Sequence, residues 1–223
     1  MLFSIRSLLS LSIILTASGG FARTHDHPHK QAVIESIDTN TANLIDISDR
    51  IWAYAETAFK ENQSSEALAS YAEQNGFQVT RGVAETPTAF VAEYGSGRPI
   101  IGILGEFDAL PGLSQKAVPF KSVLEEGGAG HGCGHNMFGT ASLGAAVAIK
   151  ELIEAGELKG TIRFYGTPAE EQFFGKLWMI RAGLFDDVDV VMDWHPNAET
   201  KAHVQSSLAM VDFEVEFFGQ AAH

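Results

Sequence analysis

The amino-acid sequence predicts an α/β fold in which a mostly parallel sheet is flanked by helices. Two observations carry this prediction. Short apolar stretches typical of strands alternate with longer stretches of helical periodicity, which is the pattern of strand–helix–strand units. The stretch Pro99–Leu104 is also continuously apolar, as expected for a strand that helices bury on both faces.

Helix is predicted wherever apolar residues recur every three or four positions. This pattern runs from about residue 31 to residue 75 and ends at Asn75-Gly76, a helix stop signal. It returns over Asn136–Ala155, where small residues allow close packing on a sheet. The strand-like segments are Phe77–Val79, Ala89–Tyr94, Pro99–Leu104, Thr161–Tyr165 and Val188–Trp194.

The main domain is expected to span residues 31–207, with both ends of the chain outside it. Residues 1–22 have the features of an export signal, with Arg6, a short apolar run and small residues before a cleavage point near Ala22. The run is too short for a stable membrane anchor, so an exported protein is expected. Residues 23–30 are expected to form a flexible, His-rich N-terminus. Residues 208–223 begin with a half-buried strand over Leu208–Phe218, as expected of the truncated start of a further domain.

The composition restricts the class of function. With 28 acidic against 15 basic residues, the chain has a formal net charge of −13. No cluster of Lys and Arg is present to bind phosphates, so a nucleic-acid partner is not expected. The one cysteine, Cys133, cannot form an internal disulfide. It must be buried, reactive or bound to a metal.

Groups of chemically active residues follow the predicted strands or open a predicted helix. They are Glu106 and Asp108, Cys133 and His135, Glu170 and Glu171, and His195. Ligands bind beyond the carboxyl ends of the strands in open α/β sheets, so these groups are expected to converge. Together they offer thiolate, imidazole and carboxylate ligands, which suit zinc or manganese better than calcium or magnesium.

The adjacent carboxylates at positions 170 and 171 suit a division of labour. We expect Glu171 to bind metal and Glu170 to act as general base on a water whose pKa the metal lowers toward about 7. Each group alone has a plainer explanation: a solvated acidic turn, a turn cap at Asp108 or a hydrogen-bonded structural His195. The Gly-rich segment 127–134 also suggests a phosphate cradle, but no Gly-Lys-Ser/Thr follows it.

Two motifs resemble those of a known family. Ile103–Gln115 and Gly130–Asn136 are similar to segments of the metallopeptidase family of aminoacylases and carboxypeptidase G, in its amidohydrolase branch. The resemblance runs from about residue 31 to the end of the chain. It implies a phosphorylase/hydrolase-like catalytic domain, followed from residue 208 by an α+β lid and dimerisation domain. It also implies a homodimer with two divalent metal ions that hydrolyses a small-molecule amide, an N-acyl or N-aroyl amino acid.

The resemblance further implies roles for individual residues. The implied metal ligands are Cys133, His135, Glu171 and His195, with Cys133 bridging two ions. Glu170 is implied as the general base, and Asp108 as a residue that contacts the ligands without binding the metal itself. His223 is implied as the group that reaches across the dimer to stabilise the oxyanion.

The chain departs from the family pattern at several positions. Asn136 and Met137-Phe138 stand where commoner members have Asp and His. Glu106 stands where more distant relatives have a metal-binding His, and we do not assign it to the metal. His131 has no assigned role, and the last histidine ligand of the family lies beyond residue 223. The alternative hypothesis is therefore a truncated, catalytically incompetent metal-binding fragment.

Overall fold

The structure is a computed structural model that describes residues 27–202, 206, 208–211, 213 and 215–220. Its helices are α1 (Lys30–Tyr54), α2 (Asn62–Gln74), α3 (His135–Glu154) and α4 (Gly175–Arg181). Its strands are β1 (Gln78–Arg81), β2 (Phe90–Ser96), β3 (Ile100–Glu106), β4 (Gly160–Thr167) and β5 (Val190–Met192). Within these described ranges, no helix has the length and apolar character needed to cross a bilayer. The predicted export signal, residues 1–22, lies outside the described residues.

Most of the predicted elements are confirmed. The long helical segment forms two helices instead of one, because Ala55 adopts a left-handed backbone conformation with φ of 44° and α2 begins only at Asn62. Helix α3 matches the second predicted helix closely, and all five strands form, although β5 is shorter than predicted. Helix α4 was not predicted.

The sheet is mixed, so the prediction of a mostly parallel sheet is not confirmed. The strand order is β1-β2-β4-β3-β5. Strand β4 pairs antiparallel with β2 and parallel with β3, and β5 is also parallel to β3. A parallel connection needs a dozen or more residues. Only residues 82–89 join β1 to β2, and only residues 97–99 join β2 to β3. Only the long connections that contain α3 and α4 therefore lead from one strand to a parallel one.

The strand predicted over Leu208–Phe218 is not confirmed. Its described residues, 208–211, 213 and 215–218, pair with no other strand. Their large apolar side chains, such as Leu208 and Phe217, are exposed. Alternation of apolar and polar residues produces a strand only where a neighbouring strand accepts its hydrogen bonds and covers its apolar face.

Helices cover both faces of the sheet. The main core lies between the sheet and the layer formed by α1, α2 and α3, and it contains Phe164. A smaller core on the other face joins Tyr165 to Met179 of α4. Consecutive residues of a strand point to opposite faces, so Phe164 and Tyr165 anchor the two layers. Burial of each such side chain contributes about 1.5–3 kcal/mol.

Helix α3 lies unusually close to strand β3. A methyl group added at Gly139 would come within 2.5 Å of the backbone oxygen of Glu106. One added at Gly105 would lie 3.2 Å from the Cα of Gly139. This close approach sets the distance between the end of β3 and the beginning of α3, which are the two elements that carry Glu106 and His135.

Gly139→Ala tests this close packing. Alanine normally stabilises a helix by about 0.5–1 kcal/mol relative to glycine, but here the clash with backbone should dominate. We expect the free energy of unfolding, measured by chemical denaturation, to fall by about 1–3 kcal/mol. Met137→Ala, on the exposed side of the same helix, is the control and should change stability little. Unchanged or increased stability of Gly139→Ala would contradict the packing.

Candidate metal centre

The predicted site residues converge where β3, β4 and β5 end. Glu106 is the last residue of β3, and Asp108 follows it. Glu170 and Glu171 lie in the loop after β4, and His195 follows β5. His135 is the first residue of α3. The parallel strands thus bring their carboxyl ends to one edge, and α3 points its N-terminus at the same place.

His135 is the centre of this cluster and is fully buried. Its Nδ1 lies 3.0 Å from the backbone oxygen of Asp108 and 3.1 Å from Asp108 Oδ1. Both neighbours are acceptors, so Nδ1 carries a proton, and Nε2 is the ring atom that can bind a metal once it is deprotonated. Nε2 lies 2.9 Å from Glu106 Oε2, 3.9 Å from Glu170 Oε2 and 3.8 Å from Glu171 Oε1.

Cys133 and His195 form the exposed side of the cluster. Cys133 Sγ lies 3.3 Å from His195 Nε2. The backbone oxygen of Pro196 accepts a hydrogen bond from His195 Nδ1 at 3.0 Å, which again leaves Nε2 free to bind a metal. The ligand atoms of Cys133, His135 and His195 all lie within 4.8 Å of one another.

The carboxylates of Glu170 and Glu171 differ in burial. The side chain of Glu171 is only 14% exposed, and its Oε1 is buried without a hydrogen-bond partner among the described residues. The side chain of Glu170 is 41% exposed. Burial, followed by the charge of Glu106, raises the pKa of Glu170. Glu171 therefore has the burial of a ligand, whereas Glu170 is open to water and substrate.

The cluster has the chemistry of a cation site. His135 Nε2 and Glu106 Oε2 are buried and face only each other at 2.9 Å, and Glu171 Oε1 is buried without a hydrogen-bond partner among the described residues. Such atoms cost free energy unless something binds them. Burial and the charge of Glu171 raise the pKa of Cys133 to about 12, so its thiol needs a bound cation to ionise near neutral pH. The residues present fit divalent metal ions.

The pKa of His135 also reflects the concentration of negative charge. Burial alone lowers the pKa of an imidazole, but the contacts with Asp108 and Glu106 outweigh it and raise this pKa to about 10. A second proton on the His135 ring thus supplies positive charge that bound divalent ions would otherwise provide. The same surroundings disfavour a bound phosphate, which argues against the phosphate-cradle interpretation of residues 127–134.

Glu106 lies closer to the centre than the sequence analysis anticipated. Its ligand atom groups with those of His135 and Glu170 within 4.8 Å. Its other oxygen pairs with Lys176 Nζ, from the first turn of α4. The sequence offers no signal for this pair, because the residues are 70 positions apart. Lys176 partly balances the charge of Glu106 and leaves the other carboxylates to a metal.

His131 and the glycines shape the loop before α3. His131 Nε2 lies 3.0 Å from the backbone oxygen of Ile51 and ties the loop to α1. Burial lowers the pKa of His131 to about 4, so its ring is neutral. Gly134 precedes α3 with φ of 83°, a conformation that glycine adopts without strain. His131 is thus a structural residue, and His223 lies outside the described residues.

Comparison with known proteins gives an independent finding. The sequence pattern of Peptidase family M20/M25/M40 matches residues 102–222. The chain is 46% identical over 190 residues to one of the subunits of p-aminobenzoyl-glutamate hydrolase from Escherichia coli (strain K12), covering 85% of this chain and 40% of that protein. It is 31% identical over 210 residues to Xaa-Arg dipeptidase of Homo sapiens, covering 85% and 43%. The chain thus spans less than half the length of these curated relatives.

A solved structure shares the fold. The crystal structure of the Bacillus subtilis YXEP protein, a dinuclear metal-binding peptidase of the M20 family, matches with a TM-score of 0.62 and 26% sequence identity. The match covers 72% of this chain and 44% of that one. The mixed sheet flanked by helices is therefore an arrangement found in that hydrolase.

Cys133→Ser tests whether the cluster binds metal. A hydroxyl is a poorer ligand than a thiolate for zinc-like ions, so elemental analysis should find less metal per protein molecule. Glu157→Gln, an exposed carboxylate just before β4 and away from the cluster, is the control and should leave the metal content unchanged. If Cys133→Ser kept the full metal content, Cys133 would be only a structural residue.

Proposed function

Because the chain belongs to peptidase family M20/M25/M40, we propose that it is the metal-binding part of an amidohydrolase that cleaves N-acyl or N-aroyl amino acids. The observation that supports this most strongly is the convergence of imidazole, thiol and carboxylate ligand atoms around the buried His135. The similarity to p-aminobenzoyl-glutamate hydrolase makes aminobenzoyl-glutamate-like amides the first substrates to test.

Cys133, His135, Glu171 and His195 would hold two divalent ions, zinc or manganese. Bound ions of this kind act as Lewis acids and lower the pKa of water toward about 7. Asp108 supports the site from behind, because it contacts both His135 Nδ1 and the backbone N–H of Glu171. Partners of this kind fix the ring orientation and raise the basicity of the ligand.

Glu170 performs the proton transfers. Its partly exposed carboxylate accepts a proton from the water that attacks the amide carbon. It then donates this proton to the amide nitrogen as the carbon–nitrogen bond breaks, so one water is consumed and an acid and an amine are released. A carboxyl group with a raised pKa suits both halves of this transfer better than a fully solvated one.

The remaining expectations concern the two ends of the sequence. We propose that the protein is exported after cleavage near Ala22 and that it assembles as a homodimer through the domain that begins at residue 208. In that dimer, His223 would stabilise the oxyanion formed from the amide carbonyl.

Glu170→Gln tests the proposed reaction. The amide cannot accept a proton, so we expect hydrolysis of p-aminobenzoyl-glutamate and of a panel of N-acyl amino acids to fall by about 10²–10⁴-fold. Metal content, measured by elemental analysis, should remain that of the wild type. The assay is release of the free amine by purified protein loaded with zinc or manganese.

Glu157→Gln is the matched control, since Glu157 is an exposed carboxylate just before β4, at the opposite end of that strand. It should hydrolyse the same substrates at the wild-type rate. Full turnover by Glu170→Gln would remove Glu170 from the role of general base. Metal-loaded wild-type protein without turnover on any substrate would favour the metal-binding, catalytically incompetent alternative.

A further inference from the structure

The loop that carries Glu170 and Glu171 has an unfavourable backbone conformation. Ala169, directly before Glu170, has φ of 58°, and Phe173 and Phe174 have φ of 68° and 52°. Residues other than glycine rarely adopt this left-handed backbone conformation. It persists only where contacts with the surrounding structure hold it in place. The contacts that hold this loop therefore control where both carboxylates point.

Two carboxylates hold the loop on either side of Glu170. Asp108 Oδ2 accepts a hydrogen bond from the backbone N–H of Glu171 at 2.9 Å. Glu61 Oε1 accepts one from the backbone N–H of Ala169, also at 2.9 Å. Glu170 thus lies between two residues whose backbone is tied to side chains from distant parts of the chain. Asp108 has a place in the metal centre, whereas the reaction gives Glu61 none.

Glu61 is buried to a degree that is rare for a carboxyl group. It directly precedes α2, and its side chain has no exposed surface. Its other oxygen, Oε2, accepts a hydrogen bond from Thr88 Oγ1 at 3.0 Å. Burial raises the pKa of Glu61 to about 7 in spite of these hydrogen bonds. A buried carboxyl group destabilises the fold unless its partners compensate.

Metal binding does not explain the burial of Glu61. Both of its carboxylate oxygens are occupied by hydrogen bonds and so are not free to bind an ion. Its hydrogen bonds go instead to Thr88, just before β2, and to the loop after β4. Within this loop, the backbone N–H of Gly175 donates a hydrogen bond to the backbone oxygen of Ala169 at 3.1 Å. Glu61 therefore restrains the left-handed residue that directly precedes Glu170.

We propose that Glu61 is a positioning residue for the metal centre. Its carboxyl group holds the left-handed turn at Ala169, and this turn directs Glu171 toward His135 and leaves Glu170 open to substrate. The proposal rests on the proposed function, because it takes Glu171 as a metal ligand. Glu61 acts through the backbone of the loop and takes no part in the proton transfers.

Two substitutions separate this role from a general contribution to stability. Glu61→Ala removes the acceptor for Ala169 N–H. Glu61→Gln keeps a carbonyl oxygen for Ala169 N–H, and its NH₂ group can donate to Thr88 Oγ1. We expect Glu61→Ala to bind Zn²⁺ about 10–100-fold more weakly than the wild type in competition with a chelator. Glu61→Gln should bind Zn²⁺ within about threefold of the wild type, because its hydrogen bond is intact.

Leu152→Ala is the control for a simple loss of stability. Leu152 is buried near the C-terminal end of α3, about 25 Å along the helix from His135. This substitution should lower the unfolding midpoint and leave the Zn²⁺ affinity unchanged. Amide hydrogen exchange at Ala169 gives a second readout that needs no metal. The amide should be protected in the wild type and in Glu61→Gln.

Three results would overturn the proposal. They are a Zn²⁺ affinity of Glu61→Ala equal to that of the wild type, a Glu61→Gln affinity as low as that of Glu61→Ala, and an unprotected Ala169 amide in the wild type. The exchange of the Ala169 amide is measured on the wild type, so it tests the proposal even if Glu61→Ala does not fold. Failure of the wild type to bind Zn²⁺ would instead overturn the proposed function, and the exchange experiment would still test Glu61.

Discussion

The contact between Asp108 and His135 is the interaction on which the rest of the site depends. One oxygen of this buried carboxylate faces His135 Nδ1, and the other accepts the backbone N–H of Glu171. A single side chain at the end of β3 thus connects the beginning of α3 with the loop after β4. Because each element contributes one proposed ligand, their relative position follows from hydrogen bonds to one rigid group.

The mixed sheet explains why the site lies where it does. The parallel strands β3, β4 and β5 end at a common edge, and all of the proposed ligands lie beyond that edge or at the N-terminus of α3. The antiparallel strands β1 and β2 contribute none of these ligands. They extend the sheet and help to bury Phe90 and Phe164 in the main core. The parallel half of the sheet therefore carries the chemistry, while the antiparallel half adds to the buried core.

This arrangement concentrates negative charge, so the carboxylates repel one another. Glu106, Asp108, Glu170 and Glu171 lie around one imidazole, and Lys176 pairs only with Glu106. Without other cations, these groups favour protonation of His135 and of the Cys133 thiol. Divalent ions would replace those protons and satisfy the buried ligand atoms. Metal binding and the integrity of this edge of the sheet are therefore coupled through the same side chains.

The sequence by itself determined most elements of the fold and the residues that converge, because apolar periodicity and the ligand motifs are local patterns. It identified Cys133, His135, Glu170, Glu171 and His195 from their places after strands or at a helix start. It did not determine the strand order, since the length of a connection limits whether two strands can be parallel but not which strands are neighbours. Nor did it reveal the Glu106–Lys176 ion pair or the hydrogen bond that Glu61 accepts from the backbone N–H of Ala169. Only the tertiary structure decided those contacts, because they join residues 70 and 108 positions apart, and no local pattern records which distant backbone group a buried carboxylate will meet.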